Sequence, residues 1–125
     1  MTADKDYLIR LPWPPTKTSK NGSQGDFRGK AKAAKGYKTD CGKECMAQHV
    51  RRMGVEAVDV DVTFHPPSLR AYDLDNMLAR CKQGLDAVAE AIGVDDAKWQ
   101  SMALRRGSKV KNGCVLVHVK PGAVQ

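Results

Sequence analysis

The stretch DLDNMLARCKQGLDAVAEAIGVDD, residues 73–96, decides the fold. Apolar side chains recur along it at spacings of four, three, four, three and four residues: Leu74, Leu78, Cys81, Leu85, Val88 and Ile92. This spacing places them on one face of an α-helix and predicts a helix from about Asn76 to Ile92. Gly93 follows the last of them, and glycine is the usual residue just beyond a helix C-terminus. The stretch therefore predicts a helix with one buried face and with carboxylates at both ends.

A second helix and four strands surround this stretch. From about Lys30 to Met53 apolar residues again recur at helical spacing with lysines on the other face, and Gly54 ends the pattern. Residues 58–65 alternate valine or phenylalanine with polar residues, which is typical of a half-buried strand. Further strands are predicted at 7–11, 101–106 and 114–120, the last two joined by a hairpin that contains lysine and glycine.

This order of elements predicts the fold class. Strand, helix, strand, helix and two strands give an α+β fold, in which a small mixed β-sheet packs with two main helices. At 125 residues the chain has room for one core, so we expect a single domain over residues 1–125. Residues 16–29 mix Gly, Ser, Asn and Lys without periodicity and are predicted to form a mobile basic loop.

Composition argues against membrane, secreted and zinc-binding proteins. No apolar run approaches the roughly 20 residues that span a bilayer, and the first residues, MTADKDYLIRLP, carry charges where a signal peptide is apolar. We therefore expect no membrane partner and a cytoplasmic location. The cysteines form no CxxC pair and the histidines are scattered singly. Buried thiols in a reducing cytosol are expected for Cys41, Cys45, Cys81 and Cys114.

The formal charge of +7 is unevenly distributed along the chain. Residues 17–52 carry ten Lys and Arg against three acids, and residues 98–125 carry six bases and no acid. Between Glu56 and Asp96 the balance reverses, with nine acids against three bases. Basic arms around an acidic centre are what an enzyme acting on nucleic acid needs, because bases neutralise phosphates while carboxylates hold a divalent cation. The alternative is that the acids only solvate exposed faces.

Several bases are candidates for contacts with the DNA backbone. They lie in the predicted loop, on the predicted basic helix and around the acidic centre: Lys17, Lys20, Arg28, Lys30, Lys32, Lys35, Arg70 and Arg80. Trp13, which stands among prolines at the end of the first strand, either stacks on a base or packs locally.

Carboxylates are concentrated at both ends of the predicted helix of residues 76–92. Asp73 and Asp75 precede it, and Asp95 and Asp96 follow it. Asp75 alone has a structural explanation as an N-cap. Four carboxylates brought together repel one another unless a hard cation neutralises them, and oxygen ligands suit Mg²⁺ or Mn²⁺. Two further acids, Asp59 and Asp61, share one face of a strand, where they either solvate it or bind metal.

Lys82 is the base that the helix places nearest to these acids. At about 100° per residue it falls on the same stripe as Asp75, two turns further along. Its long side chain leans toward the helix N-terminus, so it can reach a phosphate held at Asp75. The alternative is an ordinary surface ion pair with Asp86, one turn away.

Three short motifs together resemble a known family. Leu11-Pro12-Trp13-Pro14-Pro15, then residues 73–76 (DLDN) and residues 95–97 (DDA), look like the RusA family of Holliday junction resolvases. The resemblance implies a homodimeric, Mg²⁺-dependent endonuclease, typical of phages and prophages, that nicks two opposed strands of a four-way DNA junction.

The resemblance also assigns roles to residues. The family's catalytic aspartates correspond to Asp73, Asp75 and Asp96, with Asp95 adjacent as a further metal ligand. Where shorter family members carry a functional lysine this chain has Ala79, and Lys82 is the natural substitute if about one helical turn has been inserted. A nuclease for other branched DNA and a non-catalytic, basic DNA-binding protein remain alternatives.

Overall fold

The fold is a four-stranded mixed sheet with three helices packed on one face. The computed structural model describes residues 6–18 and 27–122, apart from the side chains of Lys17 and Phe27. The strands are β1 (Tyr7–Pro12), β2 (Val58–His65), β3 (Trp99–Arg106) and β4 (Cys114–Pro121). The helices are α1 (Phe27–Ala47), α2 (Leu74–Arg80) and α3 (Lys82–Ile92), with short 3₁₀ turns at Thr16–Thr18 and Asp96–Lys98. The predicted α+β class is confirmed.

The order of strands in the sheet is β1-β4-β2-β3. Strand β4 runs antiparallel to both of its neighbours, whereas β3 runs parallel to β2 at the far edge. The predicted hairpin between the last two strands is therefore wrong, because β2 lies between them. Burial explains the arrangement. Val115, Val117 and Val119 of β4 are fully buried, which suits a central strand, whereas most residues of β3 are exposed or half-buried.

The predicted helix of residues 76–92 is divided at Cys81 into α2 and α3. Hydrogen bonding continues across the break, because the Cys81 N–H donates to Met77 and the Cys81 carbonyl accepts from Leu85, both at 3.1 Å. The Arg80 carbonyl instead accepts from the Thr18 hydroxyl at 2.8 Å. This long-range bond ties the 3₁₀ turn to the end of α2, and local periodicity gives no sign of it.

Helix α1 begins three residues earlier and ends six residues earlier than predicted. Its last turn is followed by Gln48, whose side-chain amide accepts from the Arg10 N–H at 2.8 Å and donates to the Arg10 carbonyl at 2.7 Å. These bonds cover the free edge of β1, and the chain leaves the helix at His49, which has φ of 61°.

The predicted loop of residues 16–29 is only partly a loop. Thr16–Thr18 form a 3₁₀ turn and residues 27–29 belong to α1. The rest of the segment, with Lys20, lies outside the described residues.

All four cysteines are buried free thiols, as predicted. Burial raises the pKa of Cys41 to about 12, of Cys45 to about 11 and of Cys81 to about 12. These thiols stay protonated and unreactive at neutral pH. In the part of the chain that the structure describes, no helix is long and apolar enough to cross a membrane.

Gly84 allows α3 to pack closely on α1, and its replacement is our first prediction. A β-carbon there would lie 2.8 Å from Tyr37 Cε2 and 3.0 Å from Cys41 Sγ. The Tyr37 ring is held in place because its hydroxyl donates to the Pro12 carbonyl at 2.7 Å. We expect Gly84→Ala to lower the free energy of unfolding by roughly 1–3 kcal/mol, measured by urea denaturation.

The matched control for this substitution is Gly36→Ala in α1. Among the described residues, no atom beyond the chain neighbours and the backbone of α1 itself lies within 4 Å of a β-carbon built there. Alanine is the better helix former, so we expect stability to be unchanged or raised by up to about 1 kcal/mol. Equal effects of the two substitutions would mean that α1 and α3 do not pack as described.

Candidate active site

Asp73 and Asp75 lie at the start of α2, and both are exposed. Asp73 occupies the N-cap position, yet its side chain makes no capping hydrogen bond. Asp75 lies inside the first turn, so the N-cap explanation considered for it is wrong. The Asp73 side chain therefore does not cap the helix, and Asp75 lies in the first turn, where a negative charge is favourable.

Asp95 and Asp96 follow α3, where Asp95 is the N-cap of the second 3₁₀ turn. The Asp95 carboxylate accepts from the Ala97 N–H at 3.4 Å. A side-chain hydrogen bond with Asp96 and the backbone bond from Ala97 together lower the pKa of Asp95. Asp95 therefore remains ionised to lower pH than an ordinary aspartate.

Lys82 connects the start of α3 with this acidic pair. Its Nζ lies 3.6 Å from Asp96 Oδ2 and 4.0 Å from Asp86 Oδ1. The predicted surface pair with Asp86 is present, but the contact with Asp96 is shorter and joins residues 14 positions apart. Lys82 and Asp96, which the sequence analysis assigned to one site, do lie together.

The acidic side chains supply suitable ligands for a metal ion, but the described residues do not bring three of them to one point. Within residues 6–18 and 27–122 no three His, Cys, Asp or Glu side chains converge on a point where a metal ion would fit. The available donors are carboxylate oxygens, and their chemistry fits Mg²⁺ or Mn²⁺. Asp95 and Asp96 are chain neighbours that line one cleft, whereas Asp73 lines a different one.

A cleft of about 910 Å³ lies beside Asp73, between the proline-rich segment after β1 and the connection from β2 to α2. Arg70 is exposed at its side. Arg80, another predicted DNA contact, is half-buried in the lining of the same cleft. Its guanidinium donates to the Pro14 carbonyl at 2.7 Å and lies 5.6 Å from the centre of the Trp13 ring. Arg80 thus holds the segment Trp13–Pro14 against the end of α2, and Trp13 packs locally.

The basic face of α1 is present on the structure. Arg28, Lys32 and Lys35 are exposed and lie at helical spacings of four and three, so they form one stripe, and Lys30 beside them is half-buried. The side chain of Lys17 and all of Lys20 lie outside the described residues. Four of the predicted DNA-contacting bases thus lie together on one helix.

Asp59 and Asp61 pair with residues on the face of the sheet opposite the helices. Asp59 accepts from the Ser101 hydroxyl at 2.6 Å. Asp61 lies 3.6 Å from Arg105 and 3.5 Å from Lys120. These contacts favour the interpretation that the two acids solvate a strand face.

Two bases near the acidic pair were missed by the sequence analysis. Lys38 and Arg52 line a second cleft, of about 470 Å³, together with Asp95 and Asp96. Lys38 Nζ lies 2.6 Å from Glu90 Oε2, and this bond raises the pKa of Lys38. These contacts span about 50 residues, so no local pattern could have revealed them.

Comparison with known proteins finds a relative whose description states no activity. No protein-family model matches the chain. A protein of Xylella fastidiosa, described only as uncharacterized, is 36% identical over 103 residues, which cover 77% of this chain and 64% of the relative. The chain thus spans less than two thirds of the length of that relative, and function has to be argued from the site.

Proposed function

We propose that this protein is a divalent-cation-dependent endonuclease that resolves four-way DNA junctions by paired nicks in opposite strands. The observation that carries the proposal is the 3.6 Å contact between Lys82 and Asp96. Shorter members of the RusA family, which this chain resembles, carry a functional lysine near the catalytic aspartates. The equivalent position in this chain is Ala79. Lys82 supplies the missing cationic group from the next helix.

Each residue of the site has a role in this proposal. Asp73, Asp75 and Asp96 would hold Mg²⁺, for which Mn²⁺ could substitute, and Asp95 would support them as a neighbouring ligand. A divalent cation held there would supply Lewis-acid chemistry for water activation and for polarisation of the scissile phosphate. Lys82 neutralises the charge that develops on that phosphate.

The remaining surface supports binding of a large polyanion. The stripe of Arg28, Lys32 and Lys35 is exposed, and it contacts phosphates without reading bases. We propose that a homodimer places two such sites against the pseudo-symmetric arms of a junction. A phage or prophage protein acting in the cytoplasm of a bacterial host fits this role.

The proposal is tested with a labelled immobile junction and a linear duplex of matched sequence, each incubated with Mg²⁺ or with EDTA. We expect Mg²⁺-dependent nicks in opposite junction strands and an intact duplex. Cleavage of flaps or forks in preference to junctions would make the protein a nuclease for other branched DNA. Binding without cleavage in either Mg²⁺ or Mn²⁺ would make it a non-catalytic DNA-binding protein.

A further inference from the structure

Lys82 pairs with two carboxylates, one of which is a proposed metal ligand. Its ammonium group lies within 4.0 Å of two carboxylates, Asp86 on its own helix and Asp96 on the following turn. Asp86 was not among the residues predicted for the site. Its side chain is less exposed than those of its neighbours, at 32% against 43% for Asp96 and 63% for Lys82.

We propose that Lys82 is the resident counter-ion of Asp96, that a divalent cation has to displace it, and that Asp86 is the positioning residue that keeps the displaced ammonium at the site. This inference rests on the proposed function, because that function makes Asp96 a metal ligand. The contacts of the three side chains and their charges carry the argument.

The competition follows from the chemistry of the groups. A lysine ammonium is a compact point charge on a flexible stem, and it sits against the Asp96 oxygen that a cation would use. A carboxylate that ligates Mg²⁺ at about 2.0–2.1 Å cannot keep an ammonium at the same oxygen without strong repulsion between the two cations. Lys82 therefore leaves Asp96 when the cation arrives.

Asp86 determines where Lys82 goes. It lies one helical turn beyond Lys82, and its Oδ1 is already 4.0 Å from the ammonium. Displacement from Asp96 therefore needs only a small movement of the lysine stem toward Asp86. Without Asp86, the ammonium would have Asp96 as its remaining ion-pair partner among the described residues. It would then resist displacement more strongly.

The test is a double-mutant cycle on Mn²⁺ affinity, measured without DNA by the electron paramagnetic resonance signal of free Mn²⁺. We expect Lys82→Met to bind Mn²⁺ about two- to fivefold more tightly than the unmodified protein. Asp86→Asn should bind about two- to fivefold more weakly. In the Lys82→Met background, Asp86→Asn should have no further effect. A persisting loss there would make Asp86 a direct attractor of the metal and overturn its positioning role.

Lys38→Met is the matched control, because Lys38 lines the cleft beside Asp96 but pairs with Glu90. Equal tightening by Lys38→Met and Lys82→Met would reduce the effect to general charge and overturn the inference. If the unmodified protein binds Mn²⁺ and cuts junctions while the Lys82 and Asp86 variants leave Mn²⁺ affinity unchanged, the inference fails and the proposed function stands. If no variant binds Mn²⁺ and none cuts DNA, the proposed function fails and the inference fails with it.

Discussion

Asp75→Asn is expected to lower the rate of junction cleavage by roughly 100-fold or more, because it removes one carboxylate from the proposed metal site. Binding of the junction should persist or strengthen, since the variant loses a negative charge that faces phosphates. Asp75 is exposed in the first turn of α2, so the substitution leaves the core intact. Cleavage rate in Mg²⁺ and junction affinity by gel shift are measured on the same preparation.

The matched control is Asp40→Asn, an exposed aspartate on α1 with the same change in charge. It lies on the basic helix and lines a different cleft from those of Asp73 and Asp96, so cleavage should remain close to that of the unmodified protein. Cleavage that survives in Asp75→Asn would remove this residue from the metal site. A loss of both binding and cleavage would point instead to misfolding, which urea denaturation would reveal.

Replacing Arg28, Lys32 and Lys35 together with methionine is expected to weaken junction binding by roughly one to two orders of magnitude at low salt. Each phosphate contact that is lost should reduce the slope of log affinity against log salt by about one, so the slope should fall by up to about three. The three side chains are exposed and form one stripe on α1, and their removal leaves no buried gap. Titrations at several salt concentrations give the slope directly.

A second triple variant that loses the same positive charge elsewhere separates the effect of the position of the bases from the effect of net charge. Arg51, Lys109 and Lys111 are also exposed, but they lie on connections between elements and not on the stripe of α1. Replacing these three with methionine removes the same charge and should change the slope much less. If the two triple variants weaken binding equally, DNA binding is a property of the total charge and the stripe on α1 is not the contact surface.

The elements of the fold were predictable where the pattern is local. The alternation of Val58, Val60 and Val62 predicted β2 with its correct bounds, because a half-buried strand imposes a period of two. The neighbours of β4 were not predictable, since the short connection to β3 is equally compatible with a hairpin. The burial of each strand determines which one is central in the sheet, and that burial depends on how the whole chain packs.

In the candidate site, too, local patterns were predictable from the sequence and long-range contacts were not. The acidic motifs and Lys82 were evident from the sequence, because their spacing along one helix and its ends is local. The hydrogen bonds of Arg80 were not evident from the sequence, since its partners at Pro14 and Pro15 lie about 65 residues away. The contact between Lys82 and Asp96 also needed the structure, because it depends on the turn that follows α3.

A supercoiled plasmid with one cruciform tests junction resolution most directly. An enzyme that nicks opposite strands of one junction in a paired reaction converts the plasmid to linear DNA, whereas unpaired nicking releases relaxed circles. We predict linear product that depends on Mg²⁺ and is absent when Asp96→Asn replaces the unmodified protein. A plasmid that remains supercoiled in Mg²⁺ and in Mn²⁺, while the protein is bound to it, would contradict the assignment of an endonuclease.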